Sequence, residues 1–153
     1  MTDILKNSTS TSKDSMKGRF LTFLIDQDVF GVEIEHVMEI VGIQPITEVP
    51  EMPDYINGII NLRGKIIPVL DVRTRFKKPR AEYDDRTCII VIDYDRLSLG
   101  LIVDSVSDVL KIPDTDVVKK SEINSGSNGG CVKSIGKIDD QVILMIDCEK
   151  LLE

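Results

Sequence analysis

Few residues in this chain could make or break covalent bonds. The 153 residues include one histidine, His36, and three cysteines, Cys88, Cys131 and Cys148, which show no CxxC spacing. A lone histidine cannot build a metal site by itself, and no nucleophile lies beside it. The acidic residues lack paired-carboxylate spacing, and residues 126–130 lack the Lys-Ser/Thr of a phosphate loop. We therefore expect a protein that is not an enzyme and that uses no cofactor or metal.

The charged residue with the most suggestive position is Arg63. It interrupts residues 58–72, where two runs of branched apolar residues are typical of paired strands. Gly64 follows at a point where a hairpin turn needs a positive φ. Arg63 would then lie at the tip of a hairpin, as a solvated turn residue or as a partner contact. Glu39 is the acid that could pair with it, although a solvated charge is the simpler interpretation.

A second group of charges follows the hairpin. Five of the eight residues from Arg73 to Arg80 are basic. This run could be a nucleic-acid patch or a solvated connection between two halves of the fold. The net charge of −7 and the aromatic content of 5% argue against nucleic-acid binding, which needs a positive field and stacking surfaces. We predict no nucleic-acid partner.

No apolar run approaches the ~20 residues of a membrane-spanning helix. Residues 1–18 are polar and lack the apolar region of a signal peptide. We expect this segment to be a disordered tail, residues 120–130 to be a flexible loop, and the protein to be cytoplasmic without direct membrane insertion.

Positions of the elements follow from short apolar runs separated by turn residues. Phe20 to Asp26 and Val29 to Ile34 predict a first hairpin, followed by a single helical turn that leads into a strand. Residues 87–94, 97–104, 131–138 and 141–148 predict further strands. Because proline donates no ladder hydrogen bond, Pro68 predicts an edge strand or a bulge. Many short strands in a small chain favour an all-β barrel architecture.

The chain also contains an internal repeat. Gly31 aligns with Gly100, Glu39 with Asp108, and the segment 67–71 with 143–147. Two related halves of about 65 residues would each form a small barrel, and the barrels would share a core that neither half could supply alone.

Single residues take their interpretation from this alignment. Pairing Gly64 with Gly136 places Ile135 opposite Arg63, so the fold itself would not need the arginine. The same alignment substitutes Cys131 for Ile59 and Cys148 for Val72. All three cysteines are then expected to be small apolar residues within strands.

From about Arg19 to Leu152, the chain resembles the CheW family of bacterial chemotaxis adaptors. The most specific match is the motif Gly58-x-x-Asn61-Leu62-Arg63-Gly64-x-x-x-Pro68-Val69-x-Asp71-x-Arg73. Preceding and later segments that also match are Phe30-Gly-Val-Glu-Ile34, Val37-x-Glu39-Ile40, Ile46-Thr-x-Val-Pro50 and Gly100-x-x-Val103-Asp104-x-Val106-x-Asp108-Val109-Leu110.

The resemblance implies two five-stranded SH3-like β-barrels packed together, with subdomains at about 19–82 and 83–153 and possible strand exchange. It implies a non-enzymatic adaptor that couples the cytoplasmic tip of chemoreceptors to the regulatory domain of the histidine kinase CheA, recruited to receptor arrays at the membrane. Partner-binding positions implied by the motif are Val37, Glu39, Gly58, Asn61, Leu62, Arg63, Gly64, Thr87 and Val109.

Two physical expectations accompany this resemblance. An apolar ridge of a helical receptor tip could lie in the groove between the barrels, with Val37 and Val109 on opposite sides. Arg63 and Glu39 could pair or could bind partner charges. The alternatives are a small enzyme or ligand sensor that uses the inter-barrel cleft, and an RNA-binding barrel that uses the basic run.

Overall fold

The computed structural model describes residues 18–79, 81–113, 116–119 and 131–151. The predicted tail, apart from Gly18, and the predicted loop at 120–130 lie outside the described residues. The described strands are β1 (Arg19–Ile25), β2 (Asp28–Glu33), β3 (Val37–Gly42), β4 (Ile56–Leu62), β5 (Lys65–Asp71), β6 (Cys88–Tyr94), β7 (Leu97–Val103), β8 (Ser105–Lys111), β9 (Val117–Lys119), β10 (Val132–Ile138) and β11 (Gln141–Ile146). Two short helices, α1 (Val72–Arg75) and α2 (Cys148–Leu151), follow β5 and β11.

The strands form two sheets, each curled into an SH3-like barrel. The first sheet has the order β8-β1-β2-β11-β10-β9, and the second has the order β3-β6-β7-β5-β4. The predicted all-β fold of two barrels is confirmed, as are the first hairpin and the helical turn (Ile34–His36) that leads into β3.

The repeat in the sequence appears as matched parallel pairings. Gly31 on β2 pairs with Met145 on β11, and Gly100 on β7 pairs with Val69 on β5. A Cβ atom at Gly100 would lie 2.9 Å from a side-chain carbon of Val69. A Cβ atom at Gly31 would lie 3.3 Å from the Met145 sulfur. The two glycines therefore let a neighbouring side chain cross closely over the same position of each barrel.

Each sheet takes strands from both halves of the repeat. The hairpin β1–β2 belongs to the first half, but it pairs with β8 and β11 of the second half. The hairpin β6–β7 makes the reciprocal pairings with β3 and β5. Each sheet therefore combines strands from both predicted ranges, 19–82 and 83–153, because each range contributes a hairpin to the other range's sheet.

One part of the predicted repeat alignment is wrong. Ile60 pairs with Ile67 in β4–β5, and Gly136 pairs with Ile143 in β10–β11. Gly136 is therefore the counterpart of Ile60 and not of Gly64. The turn residue that corresponds to Arg63 is Asp139 rather than Ile135, and both have φ of 53°. The sequence alignment paired Gly64 with Gly136 because both are glycines, and this placed the second hairpin out of register with the first. The strand pairing gives the correct correspondence.

The expectation for Pro68 was also wrong, because β5 is an inner strand. Pro68 lies opposite Ile59, whose N–H and C=O both bond to Thr47 on the other side, at 2.9 Å each. No N–H is therefore needed from Pro68 toward β4. On its other side, the pairing with β7 begins only at Val69. The irregularity lies in β4, where the register shifts between Ile56 and Gly58.

The two barrels share their largest apolar cluster. It combines Phe23 and Phe30 of the first sheet with Leu70 and Leu101 of the second. Val37 belongs to the same cluster. A shared core of this kind is expected where neither half is large enough to fold alone.

The cysteines are located mostly as expected. Cys131 and Cys148 are buried and Cys88 is half-buried on β6. Cys131 directly precedes β10 and Cys148 is the first residue of α2. The prediction that these two cysteines lie within strands is therefore wrong. Burial raises the pKa of the Cys148 thiol to about 11 and also raises the pKa of Cys88. These thiols are therefore poor nucleophiles at neutral pH.

Candidate functional site

Arg63 and Glu39 meet at one end of the second barrel. Glu39 lies on β3 and Arg63 lies in the turn between β4 and β5, and β3 and β4 are the two outer strands of this sheet. Arg63 Nη1 donates to Glu39 Oε2 at 2.6 Å, and Nη2 donates to Oε1 at 2.7 Å. This two-point ion pair joins the two edge strands of the sheet through β3 and the β4–β5 turn. The bridge between Thr47 and Ile59 pairs β4 with the β3–β4 connection.

The two side chains of this ion pair differ in their exposure to solvent. The side chain of Arg63 is 73% exposed, whereas that of Glu39 is 27% exposed. The hydrogen bond from Arg63 is the main cause of a lowered pKa at Glu39, and the hydrogen bond to Glu39 raises the pKa of Arg63. Both groups stay charged at neutral pH, and the face of the guanidinium remains open to a partner.

The turn holds Arg63 in an unusual backbone conformation. Arg63 and Gly64 have φ of 53° and 85°, which corresponds to the two positive φ values of a type I′ hairpin turn. Asn61 Oδ1 accepts a hydrogen bond from the Gly64 N–H at 2.9 Å. Leu62 packs against the apolar cluster inside the second barrel. Asn61 and Leu62 therefore support the turn from which Arg63 projects.

Gly58 lies beneath this region rather than on it. Its φ is +153°, and a Cβ atom there would lie 2.2 Å from the Thr47 carbonyl oxygen. Any side chain would push the β3–β4 connection away from β4. Gly58 thus determines the shape of a neighbouring surface and does not itself contact a partner.

Three predicted residues lie elsewhere. Val37 is 7% exposed in the shared core, and Val109 is half-buried on β8 against the same core cluster. Thr87 is buried, and its Oγ1 accepts a hydrogen bond from the Asp84 N–H at 2.8 Å. Thr87 lines a cleft of about 270 Å³ beside Arg73 and Asp104. The structure therefore brings Glu39, Asn61, Leu62, Arg63 and Gly64 together and separates them from Thr87.

Arg73 is a half-buried residue that holds several groups together and that sequence reasoning did not single out. Its side chain is 12% exposed and forms ion pairs with Asp26 at 2.5 Å and with Asp104 at 2.6 Å. Nη1 also donates to the Pro79 carbonyl oxygen at 2.9 Å. The only sequence signal was that Arg73 closes the Pro68-Val69-x-Asp71-x-Arg73 motif while standing in a run of other bases.

The basic run does not form a patch in the described structure. Arg75 stacks over the Tyr55 ring, 4.7 Å from its centroid, and Lys78 pairs with Asp28 at 2.6 Å. Arg80 lies outside the described residues. Since Arg73, Arg75 and Lys78 are committed to partners within the chain, the interpretation as a connection between the halves is favoured over a nucleic-acid patch.

His36 is nearer to other ligand-type groups than the sequence suggested. Atoms of Glu33, Glu35 and His36 that could bind a metal lie within 4.8 Å of one another. Glu33 also pairs with Lys133, and the His36 ring meets Tyr94 edge-on at 5.1 Å. One exposed and one half-buried carboxylate beside an imidazole do not by themselves identify a metal site. Among the described helices, none is long and apolar enough to cross a membrane.

Comparison with known proteins places these features in a family. A family model for the CheW-like domain matches residues 19–153. The chemotaxis protein CheW of Klebsiella aerogenes is 32% identical over 133 residues, which are 87% of this chain and 80% of that protein. A probable chemotaxis protein CheW of Rhizobium etli is 37% identical over 131 residues, which are 86% and 84% of the two chains.

A solved structure shows the same architecture. The crystal structure of the scaffolding protein TtCheW from Thermoanaerobacter tengcongensis has a TM-score of 0.81 to this chain at 34% sequence identity. The match covers 89% of this chain and 88% of that chain.

Proposed function

We propose that this chain, which belongs to the CheW family of chemotaxis scaffold proteins, couples the cytoplasmic tips of chemoreceptors to the regulatory domain of the histidine kinase CheA. The family membership makes it a chemotaxis scaffold, and at the level of the family the protein is not an enzyme. The two partners, and recruitment from the cytoplasm to receptor arrays at the membrane, are the parts that we propose.

The observation that carries this proposal is the exposed ion pair at the end of the second barrel. Arg63 is held by two hydrogen bonds to Glu39, yet its side chain is 73% exposed. A preorganised guanidinium loses little conformational freedom when a partner docks, so its remaining donors favour binding. A planar, fixed cation of this kind is typical of protein-contact surfaces.

The receptor contact uses a different part of the molecule. We infer that the apolar ridge of a helical receptor tip lies along the groove between the barrels, near Val109. Val109 is half-buried and retains some accessible surface. Val37 is 7% exposed, so it supports the groove through the shared core more than it contacts a partner. Thr87 is buried and would act in the same indirect way.

The test is co-purification with two probes, a receptor-tip fragment and a CheA regulatory domain. The wild-type chain is expected to bind each probe and to join both in one complex that raises kinase activity. Arg63→Glu is expected to lose kinase binding, whereas Arg19→Glu, which reverses an exposed cation on the first sheet, retains it. Binding of the wild-type chain to neither probe would overturn the proposed partners.

A further inference from the structure

A second concave surface, the β4 groove, lies between the β3–β4 connection and the start of β4. It encloses about 400 Å³. Apolar side chains of Ile46, Val49, Met52 and Ile56 line it, and Met52 is 37% exposed. Most of the accessible lining is polar, and Met52 supplies an exposed apolar contact within it.

The remaining lining of the β4 groove is strongly acidic. Glu48, Glu51 and Asp54 lie around it, and all three are exposed. No basic side chain lines the groove, and among the described residues none of these three carboxylates forms an ion pair. The negative potentials of the three groups add within one concave surface, so the groove attracts cations and repels phosphates.

Asn57 adds an unused hydrogen-bond acceptor at the same place. Its Nδ2 donates to the Tyr83 hydroxyl at 2.9 Å. Its Oδ1 is buried and accepts no hydrogen bond from the described part of the chain. Because this oxygen is buried beneath the groove, it does not contact a docked segment directly.

Gly58 keeps the groove in shape. A Cβ atom at Gly58 would lie 2.2 Å from the Thr47 carbonyl oxygen and 2.9 Å from a side-chain carbon of Ile46. Ile46 lines the groove, and Thr47 lies between the lining residues Ile46 and Glu48. The glycine therefore allows the β3–β4 connection to lie close to β4, and a larger residue would displace this wall of the groove.

We propose that the β4 groove binds a segment of a partner protein that carries a lysine or arginine beside an apolar side chain. The apolar side chain contacts Met52 and Ile56, and the cation lies among Glu48, Glu51 and Asp54. This inference rests on the proposed function for the identity of the partner as receptor or kinase. It adds the chemistry by which the adaptor selects one partner sequence over another.

A second copy of this chain is a poorer occupant, because each copy has a net charge of −7 and the copies repel one another. Nucleic acid and anionic lipid are excluded by the same field. A cationic protein segment that carries an apolar side chain matches both the carboxylates and Met52.

The test uses the full chain and measures its affinity for the receptor-tip fragment and for the CheA regulatory domain at several salt concentrations. The variant Glu48→Gln, Glu51→Gln, Asp54→Asn removes three charges from the groove. Its matched control, Asp139→Asn, Asp140→Asn, Glu149→Gln, removes three exposed charges from the β10–β11 turn and from α2. We expect the groove variant to bind at least one probe about tenfold more weakly and with a flatter salt dependence, and the control to bind as wild type does.

Met52→Ala is expected to weaken binding of the same probe by a factor that does not change with salt, since it removes only apolar contact. The inference would be overturned if the wild-type chain binds the probes and the groove variant binds both of them with unchanged affinity. That result would leave the adaptor function intact. Wild-type self-association that the groove variant loses in analytical ultracentrifugation would assign the groove to a second copy and would also overturn it.

Discussion

The guanidinium of Arg73 holds the carboxylate of Asp104 through two parallel hydrogen bonds, of 2.8 Å from Nε and 2.6 Å from Nη2. Asp104 is the single residue between β7 of the second sheet and β8 of the first. The Asp104 N–H donates to the Leu24 carbonyl oxygen, and the Asp26 N–H donates to Asp104 Oδ2. Arg73 therefore fastens the point at which the chain passes from one barrel to the other.

Arg73→Ala is expected to destabilise the protein by about 2 kcal/mol, because it breaks charge-assisted hydrogen bonds to the half-buried carboxylate of Asp104 and an ion pair with the more exposed Asp26. The measurement is urea unfolding followed by circular dichroism. Arg86→Ala is the matched control: its side chain is 80% exposed and lies 3.9 Å from Asp84, so its stability should stay near wild type. Equal stabilities of the two variants would show that the Arg73 contacts do not stabilise the fold.

The sequence predicted the fold well because the fold depends on local signals that the chain repeats. Alternating apolar residues, the turn glycine Gly64 and the repeated segment ending in Asp71 and Asp147 correctly indicated strands, hairpins and two related barrels. Both aspartates also cap a helix: the Asp71 carboxylate accepts from the Arg73 N–H, and the Asp147 carboxylate accepts from the Glu149 N–H. Such signals are read from neighbouring residues alone.

The sequence did not predict contacts that depend on three-dimensional register. Which hairpin joins which sheet is decided by the shared core, since exchanged and unexchanged barrels have the same local pattern. The role of Arg73 was hidden for the same reason, because Asp26 and Asp104 are distant in sequence. The position of Arg63 at the barrel edge and its pairing with Glu39 were foreseen only as one of two alternatives, since a hairpin tip does not reveal what lies across from it.

Arg63→Glu and Glu39→Arg are each expected to abolish kinase activation, and the charge-swapped double variant should recover part of it. In the double variant the ion pair re-forms with reversed polarity, which restores the closure of the barrel although the exposed charge is now wrong for the partner. Because Arg63 is largely exposed, melting temperatures should change by no more than about 2 °C. The measurement is a double-mutant cycle in the reconstituted kinase assay, accompanied by calorimetry.

Additive losses in that cycle would show that Glu39 and Arg63 act independently on the partner. A melting temperature of Arg63→Glu that is lower by many degrees would instead assign Arg63 a structural role.

Gly100→Ala is expected to destabilise the second barrel by about 1–3 kcal/mol. The new Cβ atom would lie 2.8 Å from a side-chain carbon of Ile89 and 2.9 Å from one of Val69, and both residues are fully buried. Gly42→Ala is the matched control, because a Cβ atom there meets nothing within 4 Å. Thermal unfolding of both variants measures the difference, and a wild-type melting temperature for Gly100→Ala would contradict the close parallel packing.

The stability of the protein should fall in acid partly through Glu39 and Asp104. Burial alone would raise the pKa of Asp104, but the hydrogen bonds and charge of Arg73 outweigh it, so the pKa lies below the usual value of 3.8. The pKa of Glu39 lies below its usual 4.5 because of the hydrogen bond from Arg63. Carboxylates with lowered folded-state pKa values contribute stability that is fully present above the unfolded-state values and is lost as pH falls through the folded-state values.

The free energy of unfolding should therefore decrease below about pH 4.5, and Asp104→Asn should make this decrease shallower. Asp104→Asn should also lower stability at pH 7, where wild type has the full contribution of the ion pair, so the two curves should converge in acid. Asp93→Asn, a change at an exposed carboxylate on β6, should follow the wild-type curve throughout. Urea unfolding at closely spaced pH values measures all three proteins, and parallel curves for Asp104→Asn and wild type would show that Arg73 does not lower the pKa of Asp104.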